Sequence, residues 1–367
     1  MLDVLVVVSS DPRYDSRSSK YLSCLLDAGI NAKVVGISSD GETSSSDTLI
    51  RAPISQKSGK KFFLQFYQRL IPEIRKSPAK VLIAGDLFSL LPAIINKRRN
   101  SRHLPVKLIY DSKELYAELP SLKVKRSSFL FWTFLETLSV KYIDQVITVN
   151  KSIADILEAK WNLPVTVIMN VPNVTRPTTI LDRSLEKVTI TFSGGLQGGR
   201  GLHSLIKLLT LLPDNYKLRF VGDGGLRSEL ERFAASLNLS GRVQFVGRVK
   251  NDEVISELSK GTLGIYLMEN SGLCHYLALP NKLFQFISAR IPVIVSAFPE
   301  MEKIVTKFGL GAAVDPTDLD SVATKVLELT RSWQDYLKLV ENCDRAAKVL
   351  NWETEKEKFV GLIKNLI

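Results

Sequence analysis

Short apolar runs alternate with helical stretches along almost the whole chain, and this alternation constrains the fold more than any other feature. Leu2–Val8 is typical of a buried strand, and Ser19–Ala28 has the spacing of a helix that ends at Gly29. In a chain of 367 residues, this alternation predicts parallel α/β layers divided over two domains. We therefore expect two doubly wound sheets with helices on both faces.

Polar residues follow several apolar runs in the first half of the chain. Asp86, Asp111 and Asn150 each stand at or just after the end of such a run. The carboxyl ends of parallel strands meet at one edge of a sheet, where ligands bind, so these side chains predict a shared cleft.

Charged and polar residues next to these positions are candidates for contacts with a substrate hydroxyl or phosphate. An exposed turn or an ordinary solvated surface is the alternative for all of them. The candidates are Asp11, Arg13, Ser112, Lys113 and Glu114.

A segment rich in Pro, Thr and Asn, Asn170–Arg183, is the best candidate for an interdomain linker. A second series of strands and helices begins after it, at Val188–Phe192. We predict a first domain over residues 1–174 and a second over 175–351. The last helix, Trp352–Ile367, follows the second domain.

Ser193–Gly201 places five glycines and one arginine between a strand and a helix. Glycines allow a phosphate to approach the backbone, and Arg200 can supply a charge to a diphosphate. The glycine spacing matches neither a Walker loop nor the dinucleotide fingerprint. The loop predicts a phosphate site, and a flexible turn is the alternative.

The segment Tyr276–Ser296 predicts a helix that begins after Pro280 and is stopped by Pro292. Asn281 and Lys282 then lie at a helix N-terminus, which favours an anion. A lysine at this end of a helix is repelled by the dipole, so we expect Lys282 to face a negatively charged ligand. A solvated lysine on an amphipathic helix is the alternative.

The formal net charge of +11 lies almost wholly in the first half, since residues 1–180 contribute +9. This asymmetry favours an anionic partner: nucleic acid, a phospholipid surface or a phosphorylated substrate. Lys57–Arg75 and Lys123–Phe134 mix cations with aromatic residues, which is typical of contact with anionic lipid. Single-stranded nucleic acid is an alternative ligand. The alternative without a ligand is that the aromatic residues belong to the core and the lysines face solvent.

Three scattered cysteines and three histidines form no disulfide framework or zinc motif and suit a reducing cytoplasm. The opening residues have no basic region or cleavage site of a signal peptide, and no apolar run is long enough to span a bilayer. We expect a cytoplasmic protein, peripheral at the inner face of the plasma membrane.

Several segments together resemble the retaining glycosyltransferases of family four, over nearly the whole chain. They are YDSKELYAE, FSGGLQGGRGLHSLI and LALPNKLFQFISARIPVIVS, and the last is similar to a subgroup that carries PNKLFEY. The resemblance implies the GT-B fold, in which two Rossmann-like doubly wound domains face a central cleft and the C-terminal helix crosses back to the first domain.

The resemblance also implies an activity. A hexose-type sugar would pass from a nucleotide-sugar to a glycan or polyprenyl-phosphate-linked acceptor, with retention and without a metal or other cofactor. The pathway would be polysaccharide biosynthesis (capsule, O-antigen or exopolysaccharide). The donor would bind the C-terminal domain and the acceptor would enter from the N-terminal one.

The family pattern assigns roles to residues of this sequence and shows where the chain departs from it. Arg200 takes a cation position, Lys282 is the candidate for a second cation, and Lys113 stands where a histidine is usual. Gly195 replaces an arginine, and Leu277 and Gln285 replace two glutamates; Gln285 would bind the ribose. The donor-binding candidates are Gly194, Gly195, Gly199, Arg248, Asn281 and Gln285.

Other activities are compatible with the same fold. A sugar-nucleotide 2-epimerase would need carboxylates and histidines for acid–base chemistry, and three histidines give it little support. A non-catalytic relative that binds a glycan or a partner enzyme is credible because of Leu277, Gln285 and Lys113. Nucleic-acid binding agrees with the basic pI but with no known module, so we expect no nucleic-acid partner.

Overall fold

The computed structural model describes residues 1–38, 46–56, 59–100, 105–119, 126–173 and 184–367, apart from the side chains of Asn100 and Ala117. The chain divides into two compact units: Met1–Met169 with Glu355–Ile367, and Asn170–Thr354. The predicted boundary after residue 174 and residues 174–183 of the predicted linker lie outside the described residues. The predicted boundary at residue 351 stays a prediction.

The described part of the first unit holds a parallel sheet of seven strands. In chain order these are β1 (Leu2–Val7), β2 (Ala32–Ser38), β3 (Leu49–Pro53), β4 (Ala79–Ala84), β5 (Lys107–Asp111), β6 (Gln145–Thr148) and β7 (Val165–Val167). Their spatial order is β3-β2-β1-β4-β5-β6-β7. The inner strands are almost continuous runs of buried Val, Ile and Leu, as expected for a parallel sheet covered on both faces. The helices are α1 (Ser16–Asp27), α2 (Gly59–Lys76), α3 (Leu87–Asn100), α4 (Arg126–Ser139) and α5 (Lys151–Trp161).

The described part of the second unit holds a parallel sheet of six strands. They are β8 (Val188–Ser193), β9 (Tyr216–Val221), β10 (Val243–Gly247), β11 (Leu263–Tyr266), β12 (Val293–Ser296) and β13 (Gly311–Val314). Their spatial order, β10-β9-β8-β11-β12-β13, reverses between β8 and β11. This is the doubly wound order that places a ligand site at the carboxyl ends of the two central strands. The helices are α6 (Leu202–Leu208), α7 (Arg227–Ser236), α8 (Val254–Leu258), α9 (Leu273–Tyr276), α10 (Asn281–Ser288), α11 (Pro299–Phe308), α12 (Leu319–Leu329) and α13 (Trp333–Ala347).

The last helix, α14 (Trp352–Lys364), returns the end of the chain to the first unit. Within that unit, the ring of Phe359 stacks on Tyr21 with the ring centroids 4.0 Å apart. The buried carboxylate of Glu355 accepts a hydrogen bond of 2.8 Å from the backbone N–H of Met169. The predicted α/β class with two doubly wound sheets and a returning C-terminal helix is confirmed.

Three local predictions differ from the structure. Helix α1 begins three residues earlier than predicted, because the Asp15 carboxylate caps it by accepting from the Ser18 N–H. Helix α10 was predicted to be stopped by Pro292, but it already ends at Ser288. Arg290, with φ 60°, lies in the left-handed region just beyond this end. Strand β3 was not predicted, since it lies at a sheet edge and contains both Arg51 and Pro53.

Candidate functional site

The glycine-rich loop lies between β8 and α6, at the point where the second sheet reverses its strand order. Gly194, Gly199 and Gly201 have φ values of 147°, 79° and 61°, a region that favours glycine. A Cβ at Gly201 would lie 2.6 Å from the backbone oxygen of Leu267, so only glycine lets the loop approach the chain beyond β11. The sequence therefore needs glycine here for backbone geometry.

Arg200 is half-buried and bends back over the start of this loop. Its Nη1 donates a hydrogen bond of 3.2 Å to the backbone oxygen of Gly195. A Cβ at Gly194 would lie 2.8 Å from the same nitrogen. Three of the predicted residues, Gly194, Gly195 and Arg200, are thus brought together as predicted, and their functional roles stay predictions.

Lys282 lies in the first turn of α10, whose N-cap position is held by Pro280 as predicted. Its Nζ donates a hydrogen bond of 3.2 Å to Oε1 of Gln285, one turn further along the helix. Burial lowers the pKa of the Lys282 ammonium, and the positive charge of Arg200 lowers it further. The two cations therefore share one electrostatic environment.

Within the described part of the chain, neither Arg200 nor Lys282 has a carboxylate at ion-pair distance. Two partly buried positive charges that repel each other are costly unless an anion binds between or beside them. The free N–H groups at the start of α10 add to the positive potential. This arrangement suits a phosphate or a diphosphate.

A polar group that sequence analysis did not select lies beside the loop. The backbone N–H of Glu269 donates to the Gly199 oxygen at 3.0 Å, which joins the segment after β11 to the glycine-rich loop. Ser271 Oγ and His275 Nδ1 form a hydrogen bond, and a Cβ on Gly199 would lie 3.7 Å from His275 Cε1. In the sequence, His275 was considered only as a possible metal ligand, and the spacing of the three histidines matched no metal-binding motif.

The remaining donor-side candidates differ in exposure. Asn281 is the first residue of α10 and is half-buried. Arg248 is exposed after the end of β10, and no described hydrogen bond or ion pair joins it to the glycine-rich loop. Leu277 is buried at the C-cap of α9, so this position is part of the apolar packing.

In the first unit, Lys113 lies near the N-terminus of α1. Its Nζ is 3.6 Å from the Asp15 carboxylate that caps this helix. Burial opposes ionisation of Asp15, but the charge of Lys113 and the Ser18 N–H hold the Asp15 pKa below its ordinary value. The Asp15 carboxylate therefore partly balances the positive charge of Lys113.

The other acceptor-side candidates have local partners. Asp11 is bound by the guanidinium groups of Arg13, at 2.9 Å, and of the buried Arg51, at 3.0 Å. The buried Ser112 hydroxyl donates to the backbone oxygen of Glu114 at 2.9 Å, and the Glu114 side chain is exposed. These contacts hold turns in place, and a role in acceptor binding stays a prediction.

The three polar residues that were expected to point into a shared cleft are buried. Asp86 accepts from the backbone N–H of Ser9 at 2.9 Å, and Asn150 caps α5 by accepting from the Ile153 N–H. Asp111 belongs to β5 and accepts two hydrogen bonds from Arg17. These side chains are therefore not exposed ligand groups, because each of them satisfies the backbone or a buried cation, and the shared cleft stays a prediction.

Two further findings concern metal ions and membrane-spanning helices. Over the described residues, no group of three or more His, Cys, Asp or Glu side chains could hold a metal ion. No helix among them is long and apolar enough to cross a membrane. The predicted basic and aromatic segments are described from residue 59 and from residue 126 onward, since Lys57, Ser58 and residues 123–125 lie outside the described residues.

The described part of the second unit thus combines a doubly wound sheet with a glycine-rich loop and two cations at the point where the strand order reverses. The family described as glycosyl transferases group 1 matches residues 179–349, which cover most of the second unit. This part of the chain is therefore similar to that family.

Two curated glycosyltransferases are similar to the chain. One is the Campylobacter jejuni GalNAc-alpha-(1->4)-GalNAc-alpha-(1->3)-diNAcBac-PP-undecaprenol alpha-1,4-N-acetyl-D-galactosaminyltransferase, which is 26% identical over 63% of this chain and 63% of its own length. The other is the O-antigen chain mannosyltransferase RfbU of Salmonella typhimurium, 23% identical over 60% of this chain and 58% of its own length. The chain thus matches less than two thirds of the length of either relative.

The solved structure of Anabaena Alr3699/HepE in complex with UDP-glucose superimposes with a TM-score of 0.76 and 14% identity, covering 100% of both chains. At this identity the likeness shows the fold alone. The fold is GT-B, as the resemblance to family four implied.

Proposed function

We propose that the chain is a glycosyltransferase that transfers a hexose-type sugar from a nucleotide-sugar to a glycan or polyprenyl-phosphate-linked acceptor, with retention. The observation that carries this proposal is the pair of cations, Arg200 and Lys282, at the glycine-rich loop, neither of which has an ion-pair partner among the described residues. A nucleotide diphosphate is the leaving group of such a reaction, and it gains negative charge as the glycosidic bond breaks. Cations placed in advance stabilise that charge in the transition state.

In this proposal, three residues of the second unit contact the donor. Arg200 contacts one phosphate with its planar fork, and Lys282 contacts the diphosphate as a point charge. Gln285, held by Lys282, donates to the ribose hydroxyls. We assign the neutralisation of the leaving group to these cations and to backbone N–H groups, without a metal or other cofactor.

The relatives support the choice of substrates. The structurally similar Anabaena protein is described in complex with UDP-glucose, which favours a nucleotide-sugar donor. The Campylobacter relative is named for a diphospho-undecaprenol-linked glycan, which favours a lipid-linked acceptor. We place Lys113 near the reacting sugar as a catalytic residue, in addition to Arg200 and Lys282. The acceptor-side residues are Asp11, Arg13, Ser112 and Glu114. We place the reaction in polysaccharide biosynthesis at the cytoplasmic face of a membrane.

The test is a thermal-shift panel of UDP, GDP, ADP, CMP and their sugar conjugates on three proteins: wild type, Arg200→Ala and Arg232→Ala. Arg232 is exposed on α7 and serves as the matched control. We expect stabilisation by one nucleotide in wild type and in the control, with a loss in Arg200→Ala.

Stabilisation by no nucleotide would contradict the proposal and favour a non-catalytic protein that binds a glycan or a partner. Equal stabilisation of all three proteins would place the nucleotide elsewhere in the molecule. With the nucleotide known, hydrolysis and transfer of its sugar to a lipid-linked glycan can be assayed directly.

A further inference from the structure

Helix α4 turns an apolar stripe away from the protein core. Leu130, Phe131, Phe134 and Leu138 are each between 47% and 63% exposed. Phe134 follows Leu130 by four residues and Phe131 by three, and Leu138 follows Phe134 by four, so the four side chains share one face. The buried residues Trp132, Glu136 and Ser139 occupy the other face. A helix on the surface of a globular unit normally buries its apolar stripe, so this orientation marks a surface that meets another apolar phase.

The exposed stripe carries no negative charge. Residues 126–142 are described without a gap, and their one acidic residue, Glu136, is buried and accepts a hydrogen bond of 3.0 Å from Tyr110. Arg126 begins the helix and Lys141 follows its end. Both are exposed, so the stripe is flanked by cations.

A groove of about 1050 Å³ runs between α3 and α4 and continues this surface. Its lining combines an apolar floor with a cationic rim, and it includes Leu91, Ile94, Leu135, Arg98, Arg99 and Lys141. Arg98 and Lys141 lie over the ring of Tyr142, at 5.7 and 5.1 Å from its centroid. An aromatic ring in contact with cations beside an apolar floor is typical of residues at a membrane–water interface.

The surface extends to α2. Phe63 of that helix packs against Trp132 of α4 with the ring centroids 4.8 Å apart. The next residue, Leu64, is mostly exposed, and Lys60 and Lys61 are exposed one turn before it. Apolar and basic side chains therefore alternate over neighbouring helices of the first unit.

We propose that this α4 surface, meaning the exposed stripe of α4 and the groove beside α3, docks the protein on an anionic lipid bilayer. Leu130, Phe131, Phe134 and Leu138 enter the interfacial layer, while Arg98, Arg99 and Lys141 contact lipid phosphates. A symmetric contact between two copies would place cations against cations, which disfavours a second copy of the chain as the occupant. An acid-free apolar stripe with a basic rim has the complementary chemistry of an anionic leaflet.

This inference goes beyond the transfer reaction, because the α4 surface belongs to the first unit and none of its residues has been assigned to the donor. It therefore stands or fails separately from the proposed activity. Its test uses the full chain without any nucleotide, and donor binding is measured in parallel on the same preparations.

The experiment is flotation with vesicles of phosphatidylcholine alone and with about one third phosphatidylglycerol. The apolar variant is Phe131→Ser with Phe134→Ser, and the charge variant is Arg98→Gln, Arg99→Gln and Lys141→Gln. The controls replace exposed residues of the second unit: Leu211→Ser with Val349→Ser, and Lys217→Gln, Lys250→Gln and Lys303→Gln together. Thermal unfolding and the nucleotide shift verify that each variant is folded.

We expect wild type to bind only the vesicles that contain phosphatidylglycerol. Both test variants should bind these vesicles with an affinity at least about tenfold lower. High salt should weaken wild-type binding, and the controls should bind as wild type does. Wild-type binding by both test variants, or an equal loss in the controls, would overturn the proposal. An absence of vesicle binding in wild type would also overturn the proposal. If wild type then proved to be a dimer that the apolar variant dissociates, the surface would be assigned to a second copy of the chain.

Discussion

The guanidinium of Arg200 lies against Gly194: a Cβ at Gly194 would be 2.8 Å from Nη1 of Arg200. The same nitrogen is held by the backbone oxygen of Gly195, so both glycines determine where the cation stands. Gly194 also has φ 147°, which side chains rarely adopt. The glycine-rich loop thus positions a charge as well as presenting its backbone.

Gly194→Ala should weaken nucleotide binding, because the new methyl group displaces the Arg200 guanidinium and strains the backbone. Loss of a charge-assisted hydrogen bond costs about 1.5–3 kcal/mol, so we expect the dissociation constant of the preferred nucleotide to rise by about ten- to a hundredfold. Isothermal titration calorimetry measures this change.

Gly198→Ala is the matched control within the same loop. A Cβ at Gly198 would meet nothing within 4 Å, and its φ does not lie in the left-handed region. Its affinity should equal that of wild type. Equal losses in the two variants would show that loop flexibility, and not the position of Arg200, determines binding.

The sequence predicted the fold well because the signals that set it are local. The apolar runs, the glycine-rich loop and Pro280 each act within a few residues, and they placed β8 and the starts of α6 and α10 correctly. Arg200 and Lys282 were found for the same reason, since each belongs to a recognisable segment.

Contacts between residues distant in sequence could not be predicted. Arg17 and Asp111 are 94 positions apart, so Asp111 looked like an open ligand group although it is a buried ion-pair partner. The Ser271–His275 hydrogen bond is local, but its position beside Gly199 depends on the packing of β8 against β11. Sequence patterns identify the elements, and the pairing of side chains across the sheet requires coordinates.

Arg17→Met should destabilise the first unit strongly. Arg17 donates to both carboxylate oxygens of Asp111, at 2.8 and 3.0 Å, and to the backbone oxygen of Ile168 at 3.0 Å. Removing one partner of a buried pair leaves an uncompensated charge, so we expect a loss of about 3–5 kcal/mol in the free energy of unfolding. Urea denaturation followed by circular dichroism measures it.

The double variant Arg17→Met with Asp111→Leu should recover part of this stability, because it removes both buried charges. A double variant less stable than Arg17→Met alone would mean that Asp111 contributes mainly through its hydrogen bond from Tyr21, at 3.1 Å.

Nucleotide affinity should fall at alkaline pH through the titration of Lys282. Burial and Arg200 lower the Lys282 pKa from its ordinary value of 10.5 in the free protein, and a bound diphosphate favours the ammonium form and raises it again. Binding therefore takes up a proton above the lowered pKa, and affinity declines as pH rises through that value. Calorimetry from neutral to alkaline pH follows the decline.

Lys282→Arg provides the control for this titration. A guanidinium keeps its charge over the whole range, so the alkaline decline should disappear even where the absolute affinity changes. A decline of the same size in this variant would assign the titration to another group.

Gln285→Glu tests the contact between Lys282 and its neighbour on α10. The Gln285 Oε1 lies 3.2 Å from the Lys282 Nζ, so a carboxylate in this position would offset the repulsion from Arg200 and raise the Lys282 pKa. We expect the alkaline decline in nucleotide affinity to move to higher pH, as measured in the same titrations. Gln334→Glu, at an exposed position of α13, adds the same charge away from the site and should leave the profile unchanged. A profile that moves equally in both variants would show that net charge, and not the contact with Lys282, sets the pH dependence.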